Sequence, residues 1–103
     1  MHALIEQHRD AIAGLCRRHR VARLEVFGSG ARAVDFDPER SDIDFLVQFE
    51  AVGDAPSLRQ FFSLRDELTA LLGRPVDLVM PDSLANPFIK ADVDRTREPV
   101  YAA

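Results

Sequence analysis

Ser41-Asp42-Ile43-Asp44-Phe45-Leu46-Val47-Gln48-Phe49 alternates with the period of a β-strand. Ile43, Phe45, Val47 and Phe49 fall on one face, and Asp42, Asp44, Leu46 and Gln48 on the other. Residues two apart in a strand point the same way with α-carbons about 6.6 Å apart, so both carboxylates address one region. Two like charges about 4 Å apart repel by roughly 4 kcal/mol at an effective dielectric near 20. Acids opening an otherwise apolar strand therefore call for solvent, as at an exposed hairpin end, or for a cation. Magnesium, which prefers carboxylate oxygen, water and substrate phosphate, fits the second case.

Upstream, Val21 to Phe27 reads as a strand, with Leu24 and Val26 on one face and Phe27 closing it. It stops at Gly28-Ser29-Gly30, and the pattern predicts a short helical turn over 31–34, then a polar turn over 35–40. A glycine lets backbone approach a phosphate closely, a helix start offers unpaired N–H groups, and Ser29 adds a hydroxyl. The same residues also suit an ordinary turn. Further upstream, Leu4, Ile5, His8, Ile12, Leu15, Cys16 and His19 recur at helical spacing and predict one first helix. Arg17, Arg18 and Arg20 gather at its C-terminal end, where positive charge suits the helix dipole.

Downstream, residues 53–56 read as a loop and Ser57 as the N-cap of a helix running through Leu72. Leu58, Phe61, Phe62, Leu64, Leu68, Leu71 and Leu72 would form its buried face, and Gly73 would end it. A strand is expected over 75–80, a helix over 84–95 opened by Asp82 or Ser83, and a short strand over Glu98–Ala102. Asp77 lies inside the first of these strands, where an acid is costly to bury unless it is paired or binds a cation. An ion pair to Arg74 or Arg32 is the structural alternative. Beside the strand of Asp42 and Asp44, Asp77 would complete a three-carboxylate face. The element order predicts an α/β (α+β) fold, a small mixed sheet with flanking helices in one domain over 1–103.

The 103 residues suffice for one compact domain, and 47% apolar with 29% charged residues is the composition of a globular protein. A net charge of −4 argues against gripping a nucleic-acid backbone as the main task. Cys16 is the single cysteine, which excludes an internal disulfide and a cysteine-based zinc cage and fits a reducing cytoplasm. The first twenty residues mix acids and arginines and have neither a secretory apolar run nor the length of a membrane span. His2, His8 and His19 do not form a metal set with spaced acids. Asp35, Asp37 and Glu39 read as turn solvation, Phe61, Phe62 and Phe88 as core or interface anchors, and Tyr101 as a packed aromatic.

Taken together, Phe27-Gly28-Ser29-Gly30-Ala31-Arg32, Ser41-Asp42-Ile43-Asp44-Phe45-Leu46-Val47 and Val76-Asp77-Leu78-Val79 resemble the minimal nucleotidyltransferases of the DNA polymerase beta-like superfamily. The resemblance spans residues 21–80, and the tail over 90–101 is also similar. It implies the nucleotidyltransferase fold, with Gly28, Ser29, Arg32 and Ser41 holding a nucleoside triphosphate. Asp42, Asp44 and Asp77 would be the catalytic and metal-binding acids, Asp77 the general base, with two magnesium ions and ATP as nucleotide. Ala33 and Val34 stand where the family commonly has glycine and an acid. Minimal members often serve as antitoxins of helical HEPN-domain toxins, some transferring AMP to a tyrosine. Neutralisation of a partner by occlusion, and transfer to a small molecule by a homo-oligomer, are the competing readings.

Overall fold

The alternating segment forms a strand in a computed structural model that describes residues 3–28, 42–50, 58–81 and 85–103. This strand, β2 (Ile43–Phe49), lies between two neighbours. One is β1 (Val21–Phe27), which runs antiparallel to it, and the other is β3 (Val76–Val79), which runs parallel. β4 (Glu98–Ala102) pairs antiparallel with the far edge of β1, so the order across the mixed sheet is β3-β2-β1-β4. The described helices are α1 (Ala3–Gln7), α2 (Arg9–Arg18), α3 (Leu58–Leu72) and α4 (Pro87–Thr96). Parallel strands cannot be joined by a hairpin, and α3 lies in the crossover from β2 to β3.

Period-two alternation divides the sheet into two faces. Leu24, Val26, Ile43, Phe45, Val47, Val76 and Leu78 point to one face and pack with Ile12, Leu15 and Cys16 of α2 and Leu64, Leu68 and Leu72 of α3. Burial pushes the Cys16 thiol up to about 12, which keeps it protonated. On the opposite face Phe27 and Leu46 pack with Val93 of α4 and with the partly buried Val79. Phe27 thus does not join the face of Leu24 and Val26 as its apolar character suggested; strict alternation places it under α4.

Three boundaries differ from the pattern-based expectation. The first helix is broken at His8 into α1 and α2. The His8 ring donates from Nδ1 to the Leu4 carbonyl at 2.9 Å, and the His8 amide turns to the Ile5 carbonyl instead. The last helix begins at Pro87, not near 84, because Asn86 caps it by accepting from the Phe88 amide and Pro87 suits the first turn. β3 is shorter than the 75–80 expected. In α3 the buried stripe narrows to Leu64, Leu68 and Leu72, while Leu58 is 75% and Phe62 42% exposed. The Phe62 ring instead meets the edge of Phe61 and lies under the Arg65 guanidinium. The helical turn over 31–34, the polar turn over 35–40, the loop over 53–56, the Ser57 cap and Asp82 and Ser83 lie outside the described residues.

Candidate active site

Strand register places the acids. Asp44 is the cross-strand partner of Phe27 in β1 and of Asp77 in β3. Neighbouring strands run about 4.8 Å apart, and directly opposed residues share a face, so Asp44 and Asp77 stand side by side on the α4 face of the sheet. Asp42 immediately precedes β2, two residues before Asp44. Gly28 follows Phe27 at the adjoining end of β1. One corner of one face therefore gathers Gly28, Asp42, Asp44 and Asp77.

Asp42 and Asp77 are exposed and Asp44 is half-buried. The cost of burial that singled out Asp77 in the sequence does not arise, since β3 is an edge strand and turns this side chain to solvent. Its position opposite Asp44 is the informative property. Carboxylate oxygens suit a hard divalent cation. Among the described residues no three His, Cys, Asp or Glu side chains are gathered closely enough to enclose a metal ion. The backbone register thus supplies proximity, without a closed cage.

Gly28 has φ of 69°, a left-handed conformation that strains any residue with a Cβ. Its buried amide donates to Thr96 Oγ1 at 2.7 Å. This donor is engaged by α4, which fixes the peptide at the end of β1. Ser29, Arg32 and Ser41, with Ala33 and Val34, lie outside the described residues.

A second cluster on this face escaped the reading of the sequence. Glu25, 3% exposed, accepts from Arg97 Nε at 2.8 Å and Arg97 Nη2 at 2.6 Å, and lies 3.2 Å from Arg23 Nε. The Arg97 hydrogen bonds hold the Glu25 carboxyl below its usual range against the opposing effect of burial. Thr96 and Arg97 are consecutive, so the α4–β4 corner is bound to β1 at both Gly28 and Glu25. The signal was present in Leu24-Glu25-Val26-Phe27, an acid within an apolar strand, as with Asp77.

A family profile described as nucleotidyltransferase domain matches residues 8–98. The protein adenylyltransferase MntA of Thermococcus cleftensis is 44% identical over 87 residues, 84% of this chain and 80% of that protein. A solved structure assigned to the minimal nucleotidyltransferases superposes with a TM-score of 0.73 at 37% identity, covering 91% of this chain and 90% of the other. The MNT antitoxin complex with tri-AMPylated HEPN toxin of Shewanella oneidensis contains a similar fold. Its TM-score is 0.66 at 21% identity, over 96% of this chain and 73% of that one. Among the described residues no helix is long and apolar enough to cross a membrane.

Proposed function

This chain belongs to the nucleotidyltransferase-domain family, and from that premise we propose that it is a magnesium-dependent protein adenylyltransferase. It moves AMP from ATP to a tyrosine hydroxyl of a HEPN-type toxin and so acts as that toxin's antitoxin. The observation that carries the reading is the register that sets Asp44 opposite Asp77, two residues after Asp42 and beside Gly28. The adenylyltransferase relative and the AMPylated toxin complex support the choice of nucleotide, acceptor and partner. We read residues 1–103 as one cytoplasmic domain.

Asp42 and Asp44 would hold two magnesium ions, and Asp77 would complete the set. Magnesium supplies charge neutralisation on the triphosphate and eases ionisation of the attacking oxygen. Asp77, exposed on the edge strand, would take the proton of the acceptor hydroxyl. The acceptor oxygen bonds to the α-phosphorus, the bond to the β-phosphate bridge breaks, and pyrophosphate leaves. Gly28, Ser29, Arg32 and Ser41 would hold the phosphates.

Asp42→Asn/Asp44→Asn tests this reading. Magnesium-dependent ATP binding by calorimetry and AMP transfer to a co-encoded helical partner are expected to fall by at least about a hundredfold, with partner binding intact. Full protection from the toxin by the double variant would show neutralisation by occlusion and overturn the catalytic reading.

A further inference from the structure

Beyond the acids, the same sheet face carries a cleft of ≈ 160 Å³ lined by Arg23, Glu25, Leu46, Gln48, Pro81 and Arg97. We propose that this cleft is the acceptor subsite, and that it takes a carboxylate side chain lying two to four residues from the acceptor hydroxyl in an extended segment. The proposal rests on the protein-acceptor reading above and deepens it.

Position comes first. Asp44, Leu46 and Gln48 alternate along β2 on one face, and Gln48 is the cross-strand partner of Arg23. The cleft therefore lies two to four residues from Asp44, about 7–13 Å along the strand. An extended acceptor chain covers the same distance in the same number of residues. A hydroxyl at the acids and a side chain in the cleft are thus compatible with one extended segment.

Charge decides what that side chain is. Two guanidiniums share the buried carboxylate of Glu25. Asp94, which also attracts Arg97, is itself paired with Lys90 at 2.6 Å, so the group keeps one positive charge in excess. Arg23 is 52% exposed and meets Glu25 through Nε. A guanidinium carries five N–H donors, more than a carboxylate shared with Arg97 absorbs. Glu25 holds both arginines in place, so little order is lost when an anion binds. ATP offers no charge to satisfy this end of the face, because its anionic part belongs at the acids and its base is uncharged at neutral pH. An acidic residue of the acceptor does.

The test uses two fluorescein-labelled extended peptides, each with one tyrosine and either Glu or Gln three residues from it. Anisotropy is measured against wild type, Arg23→Gln and Asp42→Asn/Asp44→Asn, and AMP transfer from ATP is followed on the same peptides. The Glu peptide is expected to bind about tenfold tighter than the Gln peptide to wild type and to the double Asn variant. In Arg23→Gln the two affinities should converge. Should Arg23→Gln fold poorly, Gln48→Glu places a like charge at the exposed rim and should weaken the Glu peptide selectively. Equal affinities in wild type, no binding of either peptide, or an Arg23→Gln defect confined to ATP would overturn the assignment. Charge-dependent binding without AMP transfer would keep the cleft and sink the transferase reading; transfer indifferent to Glu or Gln would do the reverse.

Discussion

At the scale of single residues, the contact with the sharpest consequence joins Gly28 to Thr96. The Gly28 amide is buried, so losing its acceptor leaves a donor unsatisfied at a cost of about 1–3 kcal/mol. Thr96→Val should destabilise by about that amount and raise KM for ATP more than it lowers kcat, while Thr96→Ser restores both. Chemical denaturation and steady-state kinetics on the pair check this, and equal defects in the Val and Ser variants would remove the hydroxyl from the explanation. The gathering of Asp42, Asp44 and Asp77 at one corner of the sheet was legible in the sequence because period-two spacing and an acid in an apolar strand are local signals. Thr96 was not, since nothing in residues 87–96 announces a tie to a glycine 68 positions earlier.

Elements were legible where one apolar stripe met one partner. α3 and β4 fall where periodicity put them, because Leu64, Leu68 and Leu72 recur at helical spacing and Gly73 stops the turn. Gly73 has φ of 67° and its amide donates to the Thr69 carbonyl at 2.9 Å. Open space surrounds the position a Cβ would take, so Gly73→Ala tests backbone conformation alone. It should lower stability by about 1 kcal/mol in urea denaturation, with the α3 core unchanged. The break at His8 was illegible because a side chain competing for a backbone carbonyl leaves the apolar stripe intact. Leu58 and Phe62 misled for the opposite reason: apolar character marks a face that is available for burial, and the sheet covers only part of it.

For the whole molecule, Glu25 couples fold to pH. Its carboxyl is held below the ordinary 4.5, chiefly by the Arg97 hydrogen bonds. A depressed acid contributes stability that is present above its unfolded value and lost as pH falls through the folded one. The protein should therefore lose stability below about pH 4.5, and Glu25→Gln should flatten that limb while costing about 2 kcal/mol at neutral pH. Thermal melts of both proteins across pH 3–7 check the slope, and parallel acid limbs would exclude Glu25 as its source.

The two ties at the α4–β4 corner also set an order of assembly. Gly28–Thr96 and Glu25–Arg97 close loops of 68 and 72 residues. Contacts so far apart in the chain become favourable only after much of the intervening chain has been ordered. A chain whose corner has not yet docked already carries every acid but leaves the Gly28 amide without its acceptor. The fixed setting of Gly28 beside the acids is thus a late acquisition of the folding chain, and it is held by two contacts that a single corner makes.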